Sequence, residues 1–262
     1  MTFRIFIQTI FYFICDTIFA IIPSAKPSPE LLRKAKIVAH RGERDNKTVF
    51  ENTIAAFDKM QGTGVWAIEL DIRWTKDLHP VVHHDPRCDR LFNCADAIAD
   101  LDLATLRQKC PLIPTLAEVL ERYGKTFHIF IELKEEIYPD PAKQKAILQD
   151  LLKSLEPIKD YHFISFYPAL FTHVDFVPSQ ALMLIMYAKG EALSKLAIEK
   201  NYGGFLGYYA LISQQRIDRH LQAGQTVGVG FIRSKNSLWR EINRGATWIF
   251  TNEARKLQKY LD

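Results

Sequence analysis

The stretch Ile37-Val-Ala-His-Arg-Gly42 (IVAHRG) is a short apolar run of strand length that ends abruptly on a histidine, an arginine and a glycine. A strand tip crowded with such groups is either a capped end meeting water or one wall of a reaction site. What surrounds it in the chain decides between the two.

From Lys36 onward, apolar runs of strand length alternate with helix-period stretches. Strands are expected at Lys36–His40, Ala67–Trp74, Phe127–Leu133, Tyr161–Phe166, Ala181–Met186, Gly203–Tyr208, Val227–Ile232 and Thr247–Thr251. Helices are expected at Thr53–Met60, Leu116–Tyr123, Ala142–Leu155, Ala169–Val174, Ala192–Asn201, Ser213–Ala223 and Ser237–Arg244. Several of the strands are continuous Ile, Leu, Phe and Val runs, as when both faces of a sheet are covered. Eight of them, with seven helices between, predict an α/β fold of the (β/α)8 TIM-like barrel type, with an open doubly wound sheet as the alternative. At 262 residues and 48% hydrophobic, the chain is long enough for one such barrel with a substantial core. In that fold the chemistry sits where strands end and the following loops begin.

Neither a GxGxxG turn after the first strand nor a GxxxxGK[ST] loop is present, so the usual nucleotide cradles are absent. The net charge of +4 is spread along the chain, without long basic runs or a zinc-finger or basic-zipper pattern. That argues against nucleic acid, while a mildly basic surface suits anionic lipids or phosphate esters. Four cysteines, Cys15, Cys88, Cys94 and Cys110, form no CxxC pair and lie near no matching histidine pair, so a structural zinc site is not expected. Cys88 and Cys94 are near enough in sequence to bridge in an oxidising compartment, but free thiols are the expectation.

Residues 1–25 are the one compositional break. At helical spacing Arg4, Gln8, Tyr12 and Asp16 form a slanting stripe with Thr9 nearby, and Ile and Phe fill the other side. This describes a helix lying in a membrane interface through residues 3–22. A spanning helix would put Asp16 near mid-bilayer at a cost of about 3 kcal/mol. A signal peptide cut near Pro23-Ser-Ala25, with export to a periplasmic or outer compartment, is a third reading. Packing against the barrel as ordinary core is the fourth. Residues 26–35 read as a stiff linker, 36–262 as the barrel, and 86–112 as a short insertion in it.

The polar residues gather at the expected strand ends. Beyond His40-Arg41-Gly42, the strand AIELDI carries Glu69 and Asp71 two apart, hence on one face. PVVHHDP places His83, His84 and Asp85 behind another apolar run, and FHIFIELK puts Glu132 and Lys134 on one face. Three converging carboxylates repel one another in a partly dry site unless a cation joins them. An all-oxygen set prefers a hard divalent ion, magnesium or calcium. Two histidines free of the metal serve as acid and base near neutral pH. Arg41 and Lys134 suit a phosphate. The combination points to metal-assisted cleavage of a phosphate ester.

At this point the sequence resembles the glycerophosphodiester phosphodiesterases. The matching features are HRG at His40–Gly42, ENT at Glu51–Thr53, ELD at Glu69–Asp71, TKDxxPVVxHD from Thr75 to Asp85, IPTLAEVL from Ile113 to Leu120, ELK at Glu132–Lys134 and SF at Ser165–Phe166. The likeness is good from Lys36 to Phe166 and loose over the last third. It implies a TIM-like barrel hydrolysing glycerophosphodiesters to glycerol 3-phosphate and an alcohol with one divalent cation, Mg2+ or Ca2+, with Mn2+ also admissible. By motif the metal ligands are Glu69, Asp71 and Glu132, the acid/base pair is His40 and His84, and Arg41 and Lys134 hold the phosphate. One histidine activates water or the glycerol's own hydroxyl, the latter route passing through a cyclic phosphate, and the other protonates the leaving oxygen. Glu51 is expected to fix the loop and the first helix cap, Asp85 to orient its neighbours, and His83 to be a bystander. His79, His128, His162, His173 and His220 read as surface or satisfied structural residues.

Three departures from the family pattern stand out. The insertion after HD is short, the seventh strand offers Gly230 and Phe231 where a Trp-Thr pair is usual, and the last strand ends Thr251-Asn252 where Thr-Asp is usual. These are expected to lie away from the metal and acid/base groups and to bear on the alcohol moiety. Phe166, Tyr167, Tyr208, Tyr209 and Phe231 either admit an acyl chain at a more open mouth or pack between barrel and helices. A lysophospholipase D-type enzyme acting on lysophospholipids is therefore an alternative. A catalytically inactive, membrane-tethered lipid-binding barrel would be expected to have lost one of His40, Glu69, Asp71, His84 or Glu132, and all five are present. A barrel phosphatase or lyase leaves the two-histidine arrangement unexplained. Oligomeric state is not legible.

Overall fold

β1 (Lys36–His40) is flanked by β2 (Ala67–Trp74) on one side and β9 (Trp248–Thr251) on the other, and this double pairing closes the sheet. The computed structural model describes residues 3–186 and 190–261, with side chains from Tyr12 onward. Between β2 and β9 run β4 (His128–Leu133), β5 (Tyr161–Ser165), β6 (Leu182–Met186), β7 (Gly204–Tyr208) and β8 (Thr226–Gly230), all parallel. The result is a closed eight-stranded parallel barrel. The three-residue β3 (Pro80–Val82) pairs antiparallel with β2 outside the closed ring. It was too short to stand out as a strand in the sequence.

Period-two alternation divides each strand between two cores. Val38, Ala67, Phe130, Ile164, Met183, Leu206 and Phe250 fill the barrel interior. Ile37, Ile68, Leu70, Ile129, Ile131, Phe163, Leu184, Phe205 and Ile249 face the surrounding helices. Each fully buried aliphatic or aromatic side chain contributes about 1.5–3 kcal/mol. Gly228 belongs to this packing, because a Cβ there would stand 2.2 Å from Leu206 Cδ2. Trp66, His128, His162 and Trp248 stack on one another beside Phe130. His128 and His162 share a 2.8 Å hydrogen bond, and His220 bonds Ser194 and Gln225, so these histidines are structural as expected.

The helices are α1 (Phe3–Ile21), α2 (Pro29–Lys34), α3 (Ile54–Asp58), α4 (Leu103–Lys109), α5 (Leu116–Tyr123), α6 (Pro141–Leu152), α7 (Gly190–Glu199), α8 (Gln214–Gln222), α9 (Lys235–Asn243) and α10 (Ala254–Gln258). α5 matches the expected range to the residue, and a Thr115–Glu118 capping box fixes its start. The expected helix at 169–174 is a 3-10 segment, Pro168–Val174. The linker 26–35 is a helix in its second half: Ser28 caps Leu31 N at 3.3 Å and Pro29 takes the first turn, where it loses no hydrogen bond.

One further expectation is corrected. The described part of the polar stripe of α1, Tyr12 and Asp16, turns to the barrel: Asp16 Oδ1 accepts hydrogen bonds from Tyr209 (2.7 Å) and Tyr208 (3.1 Å), and the Tyr12 ring lies 4.0 Å from that of Tyr208. Arg4, Gln8 and Thr9 lie outside the residues whose side chains are described. Phe13, Ile14, Ile18, Ile21 and Ile22 face outward instead, Phe13 at 67% exposure and Ile21 at 73%. Among the described residues no helix is long and apolar enough to cross a membrane. The cysteines are free, yet not scattered: the sulfurs of Cys88, Cys94 and Cys110 lie within 4.8 Å of one another in the insertion. No sequence spacing announces that trio, because Cys110 arrives from the end of α4.

Candidate active site

The chain leaves β1 through Arg41 and Gly42 in left-handed backbone, φ 58° and 72°. Glycine is required at the second position, since a Cβ on Gly42 would come within 2.8 Å of the Ala56 backbone. The turn aims Arg41 N at Glu69, whose carbonyl and Oε2 accept at 2.9 and 3.1 Å. The polar tip of IVAHRG is thus held against β2 and faces the barrel mouth.

Register does the rest. His40 pairs with Glu69 and Asp71 with Glu132 across adjacent strands. Glu69, Asp71 and Glu132 are all buried, with ligand oxygens within 4.8 Å of one another. Burial, then Asp71 and Glu132, pushes the Glu69 carboxyl well above its ordinary range. Burial likewise raises Glu132 to about 7, against the pull of Lys134. At Asp71 burial opposes ionisation, but Arg41 and Lys134 hold it well below the usual range. Arg41 Nε lies 3.1 Å from Asp71, and Lys134 Nζ bridges Asp71 (2.5 Å) and Glu132. Glu69 Oε1 is buried and has no hydrogen-bond partner among the described residues. An orphaned buried oxygen beside two further carboxylates fits a hard cation, which would supply the missing positive charge.

Both histidines line the same cavity, each with its Nδ1 tied back. His84 Nδ1 donates to Asp85 at 2.7 Å. At His40 the partner is Asn252 Oδ1, 2.8 Å from Nδ1. Arg44 Nη2 donates to that same oxygen at 2.9 Å. Because Arg44 can only donate, the Asn252 atom there must be the oxygen, and the His40 proton must sit on Nδ1. Nε2 is then the basic nitrogen, 3.8 Å from Glu69 Oε2. Burial first, then Arg41 and Arg44, holds His40 well below its ordinary value. Burial also lowers His84, with Asp85 and Asp71 opposing.

Glu51 is buried and accepts from Arg41 (2.8 Å), Arg44 (3.1 Å), Asn46 (2.8 Å) and Arg90 (2.5 Å). Thr53, not Glu51, caps α3. Arg90 also bonds Asp85, so one arginine from the insertion joins Glu51 to the partner of His84. Sequence reasoning missed Arg44, Asn52 and Arg90. Asn52, donating to Asp71 Oδ2 at 2.7 Å, lies inside the ENT motif and was within reach. Arg90 was not, because its role depends on how the insertion folds. His83 is buried and bonds the Arg87 carbonyl, away from the cavity.

The profile of the glycerophosphoryl diester phosphodiesterase family matches residues 40–256. The chain belongs to that family. A glycerophosphodiester phosphodiesterase of Caldanaerobacter subterraneus subsp. tengcongensis is 37% identical over 142 residues, covering 50% of this chain and 55% of that protein. The chain thus spans about half the length of the curated relatives it matches. Among solved structures, an Oleispira antarctica phosphodiesterase in complex with sn-glycerol-3-phosphate has a TM-score of 0.74 at 23% identity, covering 87% of this chain and 96% of that one. One described as a putative glycerophosphodiester phosphodiesterase from Galdieria sulphuraria has a TM-score of 0.75 at 20% identity, covering 87% and 97%. These two likenesses bear on the barrel fold.

Against the family pattern, the departures do not lie away from the acid/base groups. Asn252 bonds His40 directly, and Phe231 sets its ring 4.6 Å from the His40 ring. The reason is the barrel itself: β1 and β9 are neighbours in space though they sit at opposite ends of the barrel sequence. The cavity, about 610 Å3 including its open mouth, is two-sided. His40, Arg41, Glu69, His84, Glu132 and Lys134 form one wall, and Ile164, Phe166, Ile185, Leu206, Tyr208 and Phe231 the other. Tyr209 is buried beneath α1 and Tyr167 is partly exposed to solvent, so neither lines the cavity.

Proposed function

We propose that this protein is a metal-dependent phosphodiesterase that hydrolyses glycerophosphodiesters to glycerol 3-phosphate and an alcohol. The reading rests on one observation: two histidines, each with its Nδ1 tied back, line a single cavity beside three carboxylates, Arg41 and Lys134. Glu69, Asp71 and Glu132 would hold the cation, and their hard oxygens favour Mg2+ or Ca2+, with Mn2+ admissible. When bound, it supplies charge neutralisation at the phosphate's non-bridging oxygens. Arg41 and Lys134 orient the phosphate. One histidine takes the proton of the nucleophile, water or the glycerol hydroxyl, as the new P–O bond forms. The other gives a proton to the alcohol oxygen as the old P–O bond breaks. If the hydroxyl attacks, water then opens the cyclic phosphate with the two histidines exchanging roles.

Ion-dependent release of glycerol 3-phosphate from a panel of glycerophosphodiesters tests this, with His40→Ala and Glu69→Ala alongside. Activity that needs a divalent ion and collapses in both variants supports it. No turnover with magnesium, calcium or manganese would leave the inactive lipid-binding barrel as the better description.

The apolar wall of the cavity favours a narrower substrate reading, in which lysophospholipids enter with the acyl chain against Phe166, Tyr208 and Phe231. Equal or better turnover of glycerophosphocholine than of lysophosphatidylcholine, with detergent varied, would sink it. The outward apolar face of α1 supports attachment to a lipid surface while Asp16 anchors the helix to the barrel. Cleavage near Ala25 would remove that anchor, so export with cleavage is the weaker reading. Vesicle flotation of the wild type against a Phe13→Ser, Ile21→Ser variant separates the two, and an unchanged bound fraction would count against attachment.

A further inference from the structure

We propose that Cys88, Cys94 and Cys110, with Asp96 beside them, form a second metal site, a thiolate site for a borderline-soft divalent cation of the zinc class, which holds the insertion against the catalytic mouth. The site is separate from the oxygen-only cluster at the mouth and uses none of its residues.

The three sulfurs lie within 4.8 Å of one another. A tetrahedral zinc site with metal–sulfur bonds of about 2.3 Å separates its sulfurs by roughly 3.8 Å, so contraction of an ångström or less completes the set. Cys94 Sγ is 3.3 Å from Asp96 Oδ2, which places a carboxylate at the edge of the trio for the fourth position. Lys109 Nζ bonds the same oxygen at 2.6 Å and Arg87 adds a second positive field. Three thiolates and a carboxylate around a divalent ion leave an excess of two negative charges, which those two cations offset. A soft monovalent ion would leave the excess larger and has no use for the carboxylate.

The surroundings give the site a purpose. Cys88 and Cys110 belong to a satellite core with Val81, Ile98, Leu101, Leu106 and Ile113, separate from the main barrel cores. A lobe with so small an apolar core gains most from a staple. Arg90 sits on the segment between Cys88 and Cys94 and bonds both Glu51 and Asp85, and Asp85 holds His84. Fixing Cys88 and Cys94 to Cys110 therefore fixes Arg90, and through it the orientation of His84. Burial raises both the Cys88 and the Cys110 thiols above their ordinary value. Binding replaces S–H bonds with metal–sulfur bonds and releases the protons to solvent, so affinity climbs with pH.

The test is cobalt titration of the reduced full-length protein, read by absorbance. One equivalent is expected to give a thiolate-to-cobalt charge-transfer band with intense tetrahedral d–d absorption. The band should persist in Glu69→Gln, which alters only the oxygen cluster, and be lost in Cys94→Ser, the half-buried member and so the mildest for the fold. In the wild type, zinc should slow modification of the trio by a thiol reagent by about tenfold or more. No charge-transfer band together with zinc-independent thiol modification would overturn the site, whatever the variants do. So would a charge-transfer band that survives Cys94→Ser and Cys110→Ser.

Discussion

Asn252 Oδ1 accepts the Nδ1 proton of His40 at 2.8 Å, so an amide supports this histidine while a carboxylate, Asp85, supports His84. The two members of the acid/base pair are therefore unequal by construction. A carboxylate stabilises imidazolium and an amide does so only weakly.

Asn252→Asp is expected to raise the His40 pKa by about one unit through that added charge. Whichever limb of the bell-shaped pH profile of kcat/KM belongs to His40 should move to higher pH, with the other limb unmoved. A profile identical to wild type would show that Asn252 does not tune His40.

Glu69 is a buried carboxyl whose pKa is pushed up by burial and by two like charges, so its ionised form costs stability when no cation is present. Glu69→Gln should raise the midpoint of thermal unfolding in chelator by the equivalent of roughly 1–3 kcal/mol. The same change should abolish the stabilisation by added magnesium or calcium, about 2.7 kcal/mol for wild type at a hundredfold excess over Kd. Calorimetry with and without the ion reads both effects. A chelator-treated variant less stable than wild type would contradict the account.

Gly42→Ala places a Cβ against the Ala56 backbone in left-handed conformation. A loss of about 2–3 kcal/mol is expected in urea unfolding. Activity should fall further than stability, because Arg41 N and Glu69 lose their register. An alanine variant with native stability would mean that the turn relaxes freely.

Asp16→Leu removes the carboxylate that accepts from Tyr208 and Tyr209. The expected cost is about 1–3 kcal/mol, with faster proteolysis at the α1–α2 junction. Because Tyr208 lines the cavity, KM for an acyl-bearing substrate should change more than KM for a soluble one. Equal changes for both would detach α1 from substrate recognition.

His128 and His162 titrate near 6.5 in the unfolded chain. Burial lowers His128 to about 4, and burial together with His128 lowers His162 to about 3. The folded state thus refuses protons that the unfolded state takes up. Their contribution is fully present above 6.5 and is lost as pH falls through about 4 and then about 3. Unfolding free energy should drop by on the order of 3 kcal/mol per histidine across that window, and His162→Gln should flatten the slope. A slope unchanged in that variant would assign acid sensitivity elsewhere.

The barrel was legible in the sequence because its signals are local. Continuous apolar runs such as Phe127–Leu133 announce strands covered on both faces, and the Thr115–Glu118 box announces a helix start. Period two alone puts Glu69 with Asp71 and Glu132 with Lys134, so four of the site's charged groups follow from spacing within single strands. Strand ends were less legible: β8 stops at Gly230 rather than Ile232, since hydrogen-bond pairing and not composition ends a strand.

The barrel and the candidate carboxylates and histidines could be picked out from the chain, because strand periodicity and motif order depend on residues close together in it. That Asn252 supports His40, that Asp16 is tied to Tyr208 and Tyr209, and that Cys110 joins Cys88 and Cys94 emerges from the folded chain alone. Each of those contacts joins separate elements or loops, so its existence depends on closure of the ring and packing of the insertion. No local pattern encodes such a meeting, since the side chains involved are polar or small and leave the hydrophobic period of their own segments unchanged.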